Sequence, residues 1–192
     1  MTADDRRHFD EWGYVVLPAA RTVSKDVLSY LETFFERAGE NAGHALRAEP
    51  FARVVDIVPG AAAVFAPLEN DARVLECVRH RLVPDFQLVA LRARSMNPFE
   101  LALDSPCPSG GPPSCRVLWL LDDFTGEGAA ALRVVPGSHR SPTSTETAFD
   151  EPAAVAVSGG AGSAIVLDGR MWTASGSNPG NRHLRMLCCD YE

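Results

Sequence analysis

Lysine is nearly missing from this sequence. Of its 18 basic residues in 192, only Lys25 is a lysine, so Schiff-base chemistry has one possible bearer, close to the N-terminus. An excess of positive charge is missing too. The 25 acidic side chains leave a net charge of −7, which speaks against a nucleic-acid partner, whose binding surface would be basic. No apolar run approaches the ~20 residues that a membrane span needs. The opening Met1-Thr-Ala-Asp-Asp-Arg-Arg-His8 has no apolar h-region, so no secretory signal is expected. The five cysteines are odd in number and include no CxxC pair, which fits a reduced, cytoplasmic chain better than a disulfide scaffold. No internal repeat is visible. What remains is 46% hydrophobic and 22% charged, enough apolar material for one packed domain over 1–192. The bias to Arg, Ala, Gly and Pro points to a GC-rich, bacterial type of genome.

The chain divides into a helical part, about 1–84, and a strand-rich part, about 85–192. Thr2 and Asp5 form a capping-box pattern ahead of a short helix through Phe9 and Trp12. Gly13-Tyr-Val-Val-Leu-Pro18 reads as a short buried strand. Ser24 is a suitable N-cap for a helix with Val27, Leu31, Phe34 and Ala38 on one face, stopped by Gly39, with Gly43 in the following loop. A third helix is expected after Asp71, with Leu75, Val78 and Leu82 aligned. Strands are expected at Gln87–Arg94, Arg116–Asp122, Leu132–Val135, Ala164–Asp168 and Arg185–Tyr191. Residues 105–114, rich in Pro, Ser and Gly, read as a loop of the kind that borders sites.

Three ordered blocks carry a resemblance. Gly13-Tyr-Val-Val-Leu-Pro18 comes first. Trp119-Leu-Leu-Asp-Asp-Phe-Thr-Gly-Glu127 follows, with Leu132-Arg-Val-Val-Pro-Gly-Ser-His139 behind it. Asp168-Gly-Arg-Met-Trp172 and Gly176-Ser-Asn178 close the set. Together they resemble the phytanoyl-CoA dioxygenase family of iron- and 2-oxoglutarate-dependent oxygenases, from about residue 9 to the end. The resemblance implies an α+β, mainly β chain: a double-stranded β-helix, or jelly roll, with N-terminal helices packed on one sheet. It also implies that His139 shapes its turn.

The departures from the family pattern concern the metal. The resemblance implies a His-x-Asp pair and a distal His as iron ligands. Here the pair reads Ala102-Leu-Asp104, and Thr173 follows Trp172 where the distal His belongs. Alanine has no donor atom, and a neutral Thr hydroxyl is a poor Fe(II) ligand. No metal and no cofactor are therefore expected, with Fe(II) and 2-oxoglutarate on rearranged ligands as the alternative. Cys107, Cys115, Cys188 and Cys189 could in principle bind zinc. However, vicinal Cys188 and Cys189 point to opposite faces of a strand, so at most one faces the interior. Arg182 and Arg185 are candidates for the arginine that the family uses to anchor 2-oxoglutarate. They read equally as surface charges on a closing strand.

These residues suggest a pocket lined by Trp119, Trp172, Thr173, Ala102 and an arginine, with Asp104 as general acid or base and Cys107 as a possible nucleophile. The favoured reading is a metal- and 2-oxoglutarate-independent enzyme of secondary metabolism. It would perform a proton transfer, cyclisation, isomerisation or elimination on a small, natural-product-like substrate that could carry a carboxylate. A non-catalytic partner of another pathway enzyme and an iron/2-oxoglutarate oxygenase remain the alternatives.

Overall fold

The computed structural model describes residues 1–19, 23, 25–37, 46–49, 52–60, 63–82, 85–101, 114–140 and 154–192. The capping box forms as the sequence reads. Thr2 Oγ accepts from the Asp5 backbone N–H at 3.1 Å while Asp5 accepts from the Thr2 N–H at 2.8 Å, opening helix α1 (Ala3–Trp12). Such a cap contributes about 1 kcal/mol. Gly13 ends the helix at φ +82°, a left-handed conformation, and a side chain there would run into His139 and Met171. Strand β1 (Tyr14–Leu17) follows at once, then helix α2 (Lys25–Arg37). Ser24, Ala38, Gly39 and Gly43 lie outside the described residues.

Next come β2 (Leu46–Glu49), β3 (Ala52–Ile57), a short α3 (Ala66–Glu69) and α4 (Ala72–Arg81). Asp71 caps α4 by accepting from the N–H groups of Arg73 and Val74. The remaining strands are β4 (Leu88–Met96), β5 (Glu100–Leu101), β6 (Cys115–Leu120), β7 (Ala130–Val134), β8 (Val155–Val157), β9 (Ala164–Asp168), β10 (Thr173–Asn178) and β11 (Leu184–Tyr191).

Two antiparallel sheets result. The larger runs β1-β9-β6-β11-β4-β3-β2 and the smaller β5-β10-β7-β8. Strand order jumps back and forth along the chain, as a jelly roll requires. The fold is this double-stranded β-helix, with helices on the outer face of the larger sheet.

Period-2 alternation gives the larger sheet two different faces. Val117, Trp119, Leu187, Cys189 and Tyr191 face the helices and pack with Phe9, Val27, Leu31, Val74 and Val78. Leu118, Leu120, Ile165, Leu167 and Met186 face the smaller sheet and meet Leu132 and Val134. Each such side chain contributes roughly 1.5–3 kcal/mol by leaving water.

The structure adds β2, β3, β5 and β8 to the strands expected from the sequence. β2 is Leu-Arg-Ala-Glu, four good helix formers, and its extended state follows from pairing with β3. β3 pairs in turn with β4 over six residues, Ala52 with Met96 through Ile57 with Leu91. The larger sheet therefore takes three of its seven strands from the N-terminal region. β10, Thr-Ala-Ser-Gly-Ser-Asn, has weak strand propensity. It is fixed by pairing with β7, where Gly176 lies so close to Ala130 and Ala131 that no Cβ fits.

Candidate functional site

The space between the sheets is a cavity of about 220 Å³. Apolar walls come from Leu118, Leu132, Leu167 and Met186. Among its described lining residues the charged ones are all arginines: Arg92 and Arg94 from β4 and Arg116 from β6. Thr173 and Ser175 of β10 supply hydroxyls from the opposite wall, and Cys188 of β11 supplies a thiol. A second cavity of about 380 Å³ shares Arg92, Arg116, Leu167 and Thr173 with the first and reaches Asp168, Asp190 and Glu192.

Strand register explains how these groups meet. β11 lies between β4 and β6, with Cys188 opposite Arg92 and Leu118, and Met186 opposite Arg94 and Leu120. Arg92 and Arg94, two apart on one strand, share a face. Asp190, on the same face of β11, accepts from Arg116 Nε at 2.6 Å and also from an Nη of Arg92. Arg94 Nη donates to Ser175 Oγ at 3.0 Å, bridging the two sheets. Arg92 Nε is buried with no acceptor among the described residues.

Two of the sequence blocks hold Thr173 in place. The Ser138 hydroxyl accepts from the Trp172 backbone N–H at 3.0 Å, and the Val135 N–H donates to the Trp172 carbonyl at 3.1 Å. His139 is buried behind this turn, with Nε2 3.3 Å from the Asp10 carbonyl. Burial pushes its imidazole below the ordinary range, opposed by the nearby Asp168 carboxylate. Asp168 ends β9 and pairs on the helix side with Arg81 and with Arg170, whose Nη2 lies at 3.0 Å. Burial raises its carboxyl, and Arg81 works against that shift.

The residues singled out from the sequence separate in space. Thr173 lines the cavity. Trp119 is 1% exposed and packs in the helix-side core, on the face of β6 away from the cavity. Trp172 is buried. Arg182 is exposed, and its carbonyl accepts from Asn178 Nδ2 at 2.7 Å. Arg185 forms a double contact with Asp122, Nε to Oδ2 at 2.8 Å and Nη2 to Oδ1 at 2.9 Å, and reaches Glu32 at 2.9 Å. Those bonds raise its affinity for the proton. Ala102, Asp104 and Cys107 lie outside the described residues. Cys188 and Cys189 take opposite faces, Cys188 towards the cavity and Cys189 into the helix-side core, where burial pushes its thiol well up.

Arg92, Arg94, Arg116, Ser175 and Asp190 were not singled out from the sequence. The available signal was Arg92-x-Arg94 within an expected strand, which puts two cations on one face. Nothing in the spacing said that this face is the inner one.

A family model for phytanoyl-CoA dioxygenase matches residues 9–186. No curated protein matches the chain by sequence. Among solved structures the chain is similar to HygX from Streptomyces hygroscopicus, crystallised with nickel, 2-oxoglutarate and hygromycin B. The identity is 17% over 100% of this chain and 87% of HygX, with a TM-score of 0.73. It is similar to SnoN, an α-ketoglutarate-dependent epimerase from nogalamycin biosynthesis, at 16% identity over 98% of this chain and 81% of that one, TM-score 0.74. It is also similar to SnoK, a carbocyclase from the same biosynthesis, at 16% identity over 100% and 83%, TM-score 0.73.

These findings correct the expectation that no cofactor belongs here. HygX holds a metal with 2-oxoglutarate, and SnoN has been crystallised with Fe³⁺ and α-ketoglutarate. Iron and 2-oxoglutarate are the groups that the fold family implies. The residues of this chain fit the two differently. A cavity walled by guanidinium groups matches the charge of 2-oxoglutarate, although Arg182 and Arg185 do not line it. Iron fits poorly. Alanine and threonine stand at the two imidazole positions, and no three His, Cys, Asp or Glu groups gather among the described residues. A lining of arginines is also the wrong sign for a cation.

Proposed function

The chain belongs to the phytanoyl-CoA dioxygenase family, and we propose that within it this member is an enzyme that rearranges a small, natural-product-like molecule between the two sheets. The observation that carries the reading is the cavity itself. It combines apolar walls, two hydroxyls and three arginines in one space between the sheets, a make-up suited to a small-molecule site. The neighbours support it in kind, since they include an epimerase and a carbocyclase of natural-product biosynthesis.

The reaction we assign is a proton transfer leading to isomerisation, cyclisation or elimination. With Ala102 and Thr173 at the imidazole positions, the step is built on the chain's own groups. The arginines orient the substrate and stabilise negative charge that develops when a C–H proton leaves. Asp104, the one carboxylate that the metal motif retains, accepts that proton as a base and returns it as an acid. Thr173 and Ser175 add hydrogen bonds to substrate oxygens.

The test is turnover in D₂O. Purified protein is incubated with an extract containing pathway intermediates, with and without Fe(II) and 2-oxoglutarate, and products are read by mass spectrometry. The expected product is either an isomer of its substrate made heavier by one deuterium on carbon or a product that has lost water, and it is absent with Asp104→Asn. A product heavier by one oxygen, formed together with succinate, would refute the reading. So would full activity in the Asp104→Asn variant.

A further inference from the structure

Strand β11 sets one cysteine apart from the others. Cys77, Cys115 and Cys189 lie in the helix-side core, where burial pushes each thiol up and keeps it protonated. Cys188 has the opposite parity. It is reduced and half-buried, and it lines the inner cavity.

The thiol belongs to a charged cluster. Cys188 stands opposite Arg92 on β4 and Leu118 on β6. Directly paired strand residues have Cβ atoms about 5 Å apart, so Arg92 begins close to the sulfur. Arg94 and Arg116 line the same space. The opposing carboxylates are few. Asp190, two residues on, is bonded to Arg92 and Arg116. Asp56 of β3 is paired with Arg92 from the other side and is exposed, where water screens it. Asp168 and Glu192 line the outer cavity, and Asp168 is held by Arg81 and Arg170. Three guanidinium groups therefore outweigh the carboxylates around the sulfur, the setting in which a thiolate is favoured over a thiol. Two observations independent of the cysteine mark the space as one that takes a ligand. It has about 220 Å³ of room with apolar walls. Arg92, in that wall, keeps its Nε–H buried with no acceptor among the described residues.

We propose that Cys188 is a nucleophile of the inner cavity, which bonds covalently to an α,β-unsaturated carbonyl group of a small molecule. The thiol gives its proton to water, and the sulfur lone pair forms a bond from Sγ to the β-carbon. The alkene π pair moves through the α-carbon to the carbonyl oxygen. The α-carbon of the enolate then takes one proton from water, so nothing is oxidised or reduced. An unsaturated carbonyl fits because its addition step creates negative charge on oxygen inside a positive cavity. Loss of that α-proton and expulsion of the thiolate restore the double bond, so the addition serves an isomerisation. The proposal rests on reading the space between the sheets as a small-molecule site. Its test needs no turnover, so a failed turnover assay leaves it standing, and absent labelling leaves the Asp104 proton transfer to its own assay.

The probe is acrylamide, a small neutral α,β-unsaturated amide. The reduced full chain is labelled, and tandem mass spectrometry gives the rate at each cysteine, with fragment spectra separating Cys188 from Cys189. Cys188 should react at least about tenfold faster than Cys77, Cys115 or Cys189, because only its thiolate is both accessible and favoured. Unfolding in urea should abolish the difference. Arg92→Gln should slow labelling of Cys188 about threefold or more, since one cation beside the sulfur is lost. Arg182→Gln, an exposed and screened charge, should leave the rate within about twofold. Should Arg92→Gln not fold, Arg94→Gln takes its place. Labelling of Cys188 no faster than of Cys189 would overturn the proposal. So would a selectivity that survives urea, or a Cys188 rate that the cavity arginine variant leaves unchanged.

Discussion

Replacing Arg185 separates two roles that the same residue type can play on a closing strand. Its side chain is 17% exposed and that of Asp122 is 21% exposed. The pair shares two side-chain bonds, and Asp122 Oδ2 also accepts the Arg185 backbone N–H at 2.8 Å. Removing one partner from such a largely buried, doubly bonded pair leaves the other desolvated. Full burial would cost about 3–5 kcal/mol, and the residual exposure brings the expectation to about 2–3 kcal/mol. The Glu32 contact adds little, because that carboxylate is 59% exposed. In a chain of this size about 2–3 kcal/mol corresponds to a fall of roughly 5–10 °C in Tm. The assay is a double-mutant cycle with Arg185→Ala and Asp122→Ala, followed by calorimetry or urea denaturation. The double variant should be little less stable than either single one, with a coupling of about 2 kcal/mol. Titration of the folded Arg185→Ala protein with succinate or 2-oxoglutarate should match that of the wild type. Unchanged stability together with a titration that differs from the wild type would show that Arg185 serves the cavity, and would refute the assignment.

Two further predictions follow from buried rings. His139 has its affinity for the proton lowered by burial, so the unfolded chain takes up the extra proton first as pH falls. Its contribution to stability is complete above the ordinary imidazole range, ~6.5, and is lost on acidification through that range. The urea midpoint of the wild type should therefore drop more between pH 7.5 and 5.5 than that of His139→Gln. Arg81 and Arg140 act in the same direction as burial, so equal drops would show that the Asp168 carboxylate and the Asp10 carbonyl offset the effect. Trp119 fills the helix-side core with its Nε1–H buried and without a partner among the described residues. Trp119→Ala should cost about 3–5 kcal/mol. Trp119→Phe should cost less than about 1.5 kcal/mol, since it sheds an unsatisfied donor. Both are read by thermal melts, and a larger cost for Phe than for Ala would contradict the placement.

Local chemistry made much of this fold legible. The Thr2–Asp5 box, the Asp71 cap and the strand at Ala164–Asp168 form where their residue types predict. Strand β2 escaped because it has the composition of a helix and is extended only by pairing with β3, which pairs in turn with β4. β10 has the composition of a loop and is marked only by the family block; its distant partner β7 fixes it. The site behaves in the same way. Thr173 was found because a motif marks its position. Arg92, Arg94 and Arg116 were missed because an arginine facing inward and one facing outward are identical in sequence. Only the pairing of β4, β11 and β6 decides between them.

Strand β11 keeps two accounts that never mix. Its odd-numbered residues Leu187, Cys189 and Tyr191 pack against the helices, while its even-numbered residues Met186, Cys188 and Asp190 shape the cavities. Point substitution on the even set can therefore reshape the cavity while the scaffold stays intact. The same parity makes the strand brittle to a change in length. One residue inserted ahead of Met186 would turn Leu187 and Tyr191 into the cavity and drive Asp190 against the helices. Libraries built to alter selectivity should vary positions 186, 188 and 190 and leave the strand's length alone.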